Sequence, residues 1–179
     1  FEVKFRARLG SEEKDDKSVR LFNRVIHWTP EGIRYEADQR HAELIIRSAN
    51  LEGESNLVIT PAIKAEIDID GETALSNAEA SMYRASVARG NYLAQDRSDI
   101  QYAVKELSRA MSNPTVHDQK RLKRLARYLI GRERAVVKYE YQNSYRSIEV
   151  WSDTDYAGCK RTSKSNTDGV GKAGDQVSK

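Results

Sequence analysis

Residues 82–129 read MYRASVARGNYLAQDRSDIQYAVKELSRAMSNPTVHDQKRLKRLARYL, and they contain the clearest helical periodicity of the 179-residue chain. Two apolar stripes recur at the i, i+3, i+4, i+7 spacing that places side chains on one helical face. They consist of Ile100, Ala103, Val104, Leu107 and Met111, and of Leu122, Leu125, Ala126 and Leu129. The sequence therefore predicts two amphipathic helices, separated at Asn113-Pro114 because the residue before a proline avoids the helical region.

Short polar residues mark the expected starts of these two helices. Ser98 precedes Gln101 by three residues, which is the spacing of a capping box, and predicts a helix that begins at the next residue. Pro114 and Thr115 are interpreted as a first-turn proline and a capping hydroxyl for the second helix. Gly131 is predicted to end that helix in the left-handed conformation.

Upstream of this region, the pattern predicts a small antiparallel sheet and one helix. Residues 2–9 alternate apolar and charged side chains, as a half-buried strand does. Residues 19–28 are predicted to form a second strand, and Thr29-Pro30-Glu31-Gly32 a tight turn into a third. Asp38 is predicted to cap a helix over 39–50.

The remaining elements are a linker, a helix and a hairpin. Periodicity fades over 52–77, which is interpreted as an extended linker, and helical sequence resumes over 78–94. Residues 136–141 and 147–151 are predicted to pair as a hairpin with its turn at Asn143-Ser144.

Composition limits the functional classes. One cysteine, Cys159, excludes an internal disulfide, and with only three separated histidines it argues against a zinc site. No apolar run approaches the roughly 18 residues that a membrane span needs. The start of the chain lacks the continuous apolar region of a signal peptide. We therefore expect an intracellular protein without a membrane partner.

Positive charge is concentrated near the second helix of the pair. The net charge of the whole chain is only +3, but between Lys120 and Lys138 eight bases accompany a single acid, giving +7 locally. Such a concentration is typical of a surface that binds phosphate groups. The candidate contacts are Lys120, Arg121, Lys123, Arg124 and Arg127. An ordinary solvated helix face is the alternative interpretation.

Two carboxylates are the candidate metal ligands. Asp153 and Asp155 lie at the end of a predicted strand, and alternation places both side chains on one face. Carboxylates at strand ends hold magnesium in two-metal phosphoryl-transfer sites. Hydrogen bonding within a turn is the alternative explanation of the same spacing.

Two longer motifs resemble copia-type retrotransposon polyproteins. Residues 83–131, YRASVARGNYLAQDRSDIQYAVKELSRAMSNPTVHDQKRLKRLARYLIG, are similar to the family's YRSLVGSLLYLAxTRPDIxYAVxxLSRFMSNPTxxHxxAxKRxLRYLKGT. Residues 150–165, VWSDTDYAGCKRTSKS, are similar to YSDADWAGCxxTRKSTSG, which begins the family's ribonuclease H domain. The order and separation of the two blocks match as well, and Thr60-Pro61 matches a Thr-Pro in the family's linker.

The resemblance implies an α+β fragment of an RNA-directed DNA polymerase with ribonuclease H activity. The fold would comprise a small N-terminal sheet with a helix, a central helical lobe, and a C-terminal hairpin that begins an incomplete ribonuclease H-like fold. Residues 1–51 would be the end of the reverse transcriptase palm and the following helix, and 52–77 a linker. Residues 78–134 would be a helical connection lobe, and 135–179 the truncated start of ribonuclease H.

The resemblance also implies roles for single residues. Asp153 matches the first magnesium-binding aspartate of the ribonuclease H site, and Asp155 is a further candidate. The basic helix from Lys120 would hold an RNA/DNA template-primer by its phosphates. The family's other acids lie after residue 179 and its Tyr-Val-Asp-Asp type motif before Phe1, so neither active site is expected to be complete, and Mg²⁺ belongs to the parent enzyme.

The expected partners are an RNA/DNA hybrid or other nucleic acid and the rest of the polyprotein, in a cytoplasmic particle or the nucleus. Ser98 departs from the family's proline, and Ser86, Gly90 and Asn91 stand where leucines are common. The C-terminal stretch lacks apolar residues of the family pattern, which predicts a weaker second ribonuclease H strand. Two alternatives are a helical protein-interaction module that contacts an acidic protein and a non-functional relic of a transposon.

Overall fold

The computed structural model describes residues 8–51, 57–63, 73–143, 147–154, 156, 165 and 167–178. Within them the chain forms seven strands and four helices. In chain order these are β1 (Ser18–Leu21), β2 (Arg24–Thr29), β3 (Gly32–Glu36), α1 (Gln39–Ser48), α2 (Asn77–Ala94), α3 (Ser98–Ser108), α4 (Val116–Leu129), β4 (Val136–Glu140), β5 (Ile148–Thr154), β6 (Thr167–Ala173) and β7 (Gln176–Ser178).

The strands form two sheets, which confirms the predicted α+β class. Four strands form an antiparallel sheet in the order β1-β2-β3-β4. The other three form an antiparallel sheet in the order β5-β6-β7. In the second sheet Trp151 lies opposite Val170 and Asp153 opposite Asp168.

The chain divides into two compact units. The larger comprises Ser18–Ile26 and the described residues of Tyr35–Val137, and it contains all four helices. The smaller comprises His27–Arg34 and the described residues of Phe1–Lys17 and Lys138–Lys179. The most deeply buried large apolar side chains all belong to the helices of the larger unit, and they are Ile45, Tyr83, Leu93, Ile100, Leu107, Leu125 and Leu129. These helices therefore supply the hydrophobic core.

Helix α1 begins as predicted, because Asp38 Oδ1 accepts a hydrogen bond of 3.0 Å from the Arg40 N–H. Helix α2 confirms the helix expected over 78–94, and it begins with a capping box between Ser76 and Glu79 that was not predicted. Tyr83 lies on the buried face of α2 and donates a 2.7 Å hydrogen bond to the Leu107 carbonyl oxygen.

Ser86 and Gly90, which depart from the family pattern in α2, each make a close contact with another helix. The Ser86 and Ser48 hydroxyls lie 2.8 Å apart, which links α2 to α1. A Cβ at Gly90 would lie 3.2 Å from Val104 Cγ2, so the missing side chain lets α2 approach α3 closely. The core of this unit is thus fitted to small residues where leucines are common.

The predicted cap of α3 is wrong. Ser98 is the first helical residue, Arg97 is the N-cap, and no side chain makes a capping hydrogen bond. The Gln101 side chain makes no capping hydrogen bond to Ser98 and instead donates a 3.1 Å hydrogen bond to the Ala94 carbonyl oxygen. The predicted box fails because Arg97 pairs with Asp99 on either side of Ser98, with N···O distances of 2.9 and 2.6 Å.

Helix α4 follows the sequence prediction more closely. Thr115 is its N-cap, as predicted, and Asp118 completes a capping box. Pro114 lies before the cap, so its assignment to the first turn is wrong. Ile130 ends the helix, and Gly131 follows with a φ of +73°, which confirms the left-handed position expected there.

The strand predicted over 19–28 is two strands, β1 and β2. Phe22 and Asn23 connect them with φ values of 49° and 63°. Two consecutive positive φ values are typical of a type I′ hairpin turn. Asn23 is a residue that favours such a turn, but Phe22 is not, so the pair lacks the usual sequence pattern of a type I′ turn.

The predicted hairpin between residues 136–141 and 147–151 is wrong, because β4 pairs with β3 and β5 pairs with β6. The Tyr141 N–H donates to the Glu31 carbonyl oxygen over 2.9 Å. A Cβ at Gly32 would clash with the Tyr139 carbonyl oxygen, so glycine permits the close approach of β3 to β4. Pairing across about a hundred residues of sequence leaves no local signal.

Several predictions lie wholly or partly outside the described residues, namely residues 2–7 of the strand predicted over 2–9, parts of the linker at 52–56 and 64–72, and the positions of Asp155 and Cys159. Among the described helices, none combines the length and apolar character that a bilayer crossing requires.

His41 on α1 lies between a buried carboxylate and an aromatic ring. Its Nε2 is 3.8 Å from Asp38 Oδ2, and its ring centroid is 4.5 Å from that of Tyr92. Its Nδ1 is buried without a hydrogen-bond partner among the described residues. Burial lowers the pKa of His41, and the positive charges of Arg40, Arg89 and Arg24 lower it further against the opposing charge of Asp38. The folded state therefore prefers the neutral imidazole.

We expect acid to destabilise the fold through His41. Because the pKa of His41 is lower in the folded state, its contribution is fully present above the unfolded value of about 6.5 and is lost as the pH falls through the folded pKa. Urea unfolding should show that the wild-type chain loses more stability between pH 7.5 and pH 5 than H41Q, which cannot titrate. Equal losses in the two proteins would contradict this expectation.

Candidate nucleic-acid interface

Helix α4 carries the densest positive charge, and its cap and apolar face fix its orientation. Asp118 Oδ2 accepts hydrogen bonds from the Thr115 N–H and hydroxyl over 3.1 and 2.9 Å. The face predicted to be apolar is buried, and it comprises Leu122, Leu125, Ala126 and Leu129. The side of α4 that is opposite to this face is consequently directed away from the core of the larger unit.

Four cations follow the outer side of α4. They lie at positions i, i+3, i+4 and i+7, so they span about 100° of the helix circumference. These residues, here called the basic stripe, are Lys120, Lys123, Arg124 and Arg127. None of the four forms a salt bridge with an acid in the described part of the chain. Within the described part of the chain, no acid therefore offsets the four positive charges of the basic stripe.

Arg121, the fifth predicted contact, lies on a different side of α4. Its guanidinium is 3.8 Å from Glu106 Oε2 and 3.6 Å from Asp118 Oδ1, and its side chain is 24% exposed. It thus bridges α3 and the start of α4. The structure brings four of the five predicted side chains onto one face and separates Arg121 from them.

A non-helical segment at residues 57–63 contacts the basic stripe. Arg124 Nη2 donates a 2.9 Å hydrogen bond to Thr60 Oγ1. Val58 and Ala62 are partly buried against the core, so the segment is anchored on both sides of Thr60. The Nε atoms of Arg124 and Arg127 are buried without hydrogen-bond partners among the described residues. As far as the described residues show, both guanidiniums have an Nε–H that is not used as a donor.

The other bases of the +7 region have separate partners. Arg134 pairs with Glu36 over 3.0 Å and Lys138 with Glu140 over 2.8 Å. The Arg132 guanidinium lies 4.9 Å from the Tyr128 ring centroid. Charge counted along the sequence therefore overstates the continuous basic surface.

Asp153, the predicted catalytic residue, lies exposed in β5. Asp155 lies outside the described residues. Among the side chains that the structure describes, no cluster of three or more acids, histidines or cysteines could hold a metal ion. A two-metal site requires several carboxylates, so the described residues do not form a magnesium site.

An ion pair between buried Arg97 and partly exposed Asp99 was not anticipated from the sequence. The Arg97 side chain is 4% exposed, and its Nη1 donates a 2.7 Å hydrogen bond to the Arg132 carbonyl oxygen. Asp99 accepts from Arg97 and, over 2.9 Å, from the Tyr128 hydroxyl. An arginine two residues before an aspartate is a weak signal, because the partners at 128 and 132 are brought in only by folding.

The sequence of this chain has relatives among transposon proteins. It is 41% identical over 78 residues to the retrovirus-related Pol polyprotein from transposon RE1 of Arabidopsis thaliana, and 32% identical over 130 residues to that from transposon RE2. The chain is a relative of retrotransposon Pol polyproteins. The resemblance to copia-type polyproteins is thereby confirmed. The Pol-related chain is also 37% identical over 87 residues to an uncharacterized mitochondrial protein of the same plant.

The matches cover limited parts of the sequences compared. They include 44% and 72% of the Pol-related chain for RE1 and RE2, but only 5% and 9% of those polyproteins. For the mitochondrial protein, the match includes 49% of the chain and 36% of the relative. The chain thus spans about a third or less of each of these relatives. No family model and no solved structure matches it.

Proposed function

We propose that this Pol-related chain contacts an RNA/DNA template-primer duplex through the phosphate groups. The observation that carries the proposal is the basic stripe, whose four cations share one face of α4 and have no acidic partner in the described part of the chain. The names of the RE1 and RE2 relatives, retrovirus-related Pol polyproteins, support a role beside nucleic acid.

The length of the basic stripe suits a nucleic-acid backbone. Positions 120 and 127 are about 10 Å apart along an α-helix, since each residue adds about 1.5 Å. Phosphates on one strand of a duplex recur every 3.4 Å or so along the axis. Four cations over this length can therefore contact several phosphates without reading base sequence.

The enzymatic part of the proposal concerns the longer polyprotein. There Asp153 would be one carboxylate of a ribonuclease H-like site, as the family resemblance implies, together with Asp155 and acids elsewhere. The rest of the polyprotein would be the second partner. We expect the chain alone to leave the RNA strand of a hybrid uncut in the presence of Mg²⁺, because a two-metal site needs several positioned carboxylates.

The test is a titration of the chain against a fluorescent RNA/DNA hybrid at several salt concentrations. Four phosphate contacts predict that log K falls with log salt at a slope of about −3.6, or roughly 150-fold between 50 and 200 mM. A slope near zero, or no binding at 50 mM, would contradict the proposal.

Two further measurements separate the alternatives. An interaction module that prefers an acidic protein would bind a polyglutamate tract at least as well as the hybrid, whereas the proposal predicts that the hybrid displaces polyglutamate. A relic that does not fold would lack a cooperative thermal unfolding transition. The capped and buried helices of the larger unit lead us to expect that such a transition is present.

A further inference from the structure

Thr60 occupies an unusual position beside the basic stripe. It is exposed, and its hydroxyl accepts the 2.9 Å hydrogen bond from Arg124 Nη2. Pro61 follows it directly, and the segment around it forms no helix or strand. An exposed hydroxyl in irregular backbone, followed by proline, is the type of acceptor that proline-directed serine/threonine kinases recognise.

The neighbours of Thr60 hold it next to Arg124. Val58 and Ala62 pack partly buried against the core on either side, and Arg132 Nη1 donates to the Val58 carbonyl oxygen over 3.4 Å. A group added to the Thr60 hydroxyl would therefore start within hydrogen-bond distance of a guanidinium that belongs to the basic stripe.

We propose that Thr60 is a phosphorylation site and that its phosphate binds Arg124. The phosphate thereby lowers the affinity of the basic stripe for nucleic acid, an effect called the closure below. The closure rests on the proposed function, because it regulates the same surface. The pairing of the phosphate with Arg124 rests only on the position of Thr60 and can be judged separately.

The modification is a phosphoryl transfer from a nucleoside triphosphate, catalysed by a proline-directed kinase. Thr60 Oγ1 attacks the γ-phosphorus and forms a new P–O bond, while the bond between the γ-phosphorus and the β,γ-bridging oxygen breaks. The nucleoside diphosphate leaves, and the hydroxyl proton passes to the catalytic base of the kinase. No redox partner is required.

The phosphate changes the charge balance of the basic stripe. A phosphothreonine carries a charge of about −1.5 to −2 at neutral pH, and arginine binds such oxygens with two parallel hydrogen bonds. The four positive charges of the stripe would thus be reduced by nearly half. Losing about two phosphate contacts predicts a loss of affinity for a duplex of roughly 30-fold near 0.15 M salt.

Thr29 provides a matched comparison, because it is also followed by proline. Its hydroxyl donates a 2.9 Å hydrogen bond to the Gly32 carbonyl oxygen within a turn, and it lies at the end of β2. No guanidinium contacts its hydroxyl among the described residues. A phosphate on Thr29 is therefore not expected to acquire an arginine partner.

The experiment treats the full T29V chain with a proline-directed kinase and ATP, with the P61A/T29V chain as the unmodified control. Peptide mass spectrometry locates the phosphate. A ³¹P NMR titration then measures the second phosphate pKa, which should lie below its usual value of about 6 and return toward it in R124Q. Anisotropy with the RNA/DNA hybrid should show the roughly 30-fold loss on phosphorylation.

Each result decides a part of the proposal. Failure of the kinase to modify Thr60 in the folded chain overturns it, and so does a phosphate pKa that is unchanged by R124Q. Undiminished hybrid binding by the phosphorylated chain overturns the closure. If the unmodified chain does not bind the hybrid at all, the proposed function and the closure fail together, while the ³¹P titration still decides whether the phosphate pairs with Arg124.

Discussion

Replacing Asp99 with alanine is expected to lower the free energy of unfolding by about 2 kcal/mol, because the change leaves Arg97 buried without its counter-charge, while solvent screens Asp99, which is 37% exposed. The Arg97 side chain is only 4% exposed, and two of its three hydrogen-bonding nitrogens donate to Asp99. Urea unfolding monitored by circular dichroism measures the loss.

The double variant R97M/D99A distinguishes the cost of an unpaired, buried Arg97 charge from a simple loss of packing. Without the guanidinium no buried charge is left unpaired, so the double variant should be no less stable than D99A. E43A is the matched control, since Glu43 forms a pair of 3.9 Å with Arg47 on the exposed side of α1 and should cost less than about 0.5 kcal/mol. A D99A loss as small as that of E43A would contradict the prediction.

The pH dependence of the Asp99 contribution follows from the same geometry. Burial acts to raise the pKa of Asp99, but the hydrogen bonds and charge of Arg97 outweigh burial and hold the pKa below its ordinary value. The contribution is therefore present above pH 3.9 or so and is lost as the pH falls through the folded pKa. The stability gap between the wild-type chain and D99A should accordingly narrow in acid.

Local patterns predicted the elements whose causes are local. Thr115 was identified from its position before an apolar stripe, and its capping bond spans three residues. The cap predicted at Ser98 failed because Arg97 binds Asp99 and the carbonyl of residue 132, a partner that sequence spacing does not reveal. Similarly, the reversal at Phe22 and Asn23 lacked the usual residue pair of a type I′ turn, and the pairing of β4 with β3 joins distant segments.

In the candidate interface, too, features set by local sequence were predicted and contacts between distant residues were not. Composition predicted a basic α4, and helical periodicity suffices to place Lys120 and Arg127 on one side of it. Nothing near Arg121 in sequence indicates Glu106, which lies on α3 and engages the guanidinium. The contact between Arg124 and Thr60 likewise joins residues 64 positions apart.

Neutralising the whole basic stripe should have the largest effect on nucleic-acid binding. The variant K120Q/K123Q/R124Q/R127Q removes four phosphate contacts, which predicts a loss in affinity for an RNA/DNA hybrid of roughly a thousand-fold near 0.15 M salt. The salt slope should fall in magnitude by about 3.6. The variant leaves the apolar face of α4 intact, so the thermal unfolding midpoint should change little beyond the loss of the hydrogen bond between Arg124 and Thr60.

The control K14Q/R20Q/R34Q/R47Q removes the same charge from exposed positions elsewhere, and we expect it to lower the affinity only a few-fold. R121Q is a second control, which removes a cation of α4 that lies outside the basic stripe. Because Arg121 binds Glu106 and Asp118, its loss should reduce stability more than hybrid affinity. Equal affinity losses in the two quadruple variants would show that net charge alone drives binding. A stripe is required only if the losses differ, since the two proteins have identical net charge and differ only in where that charge lies.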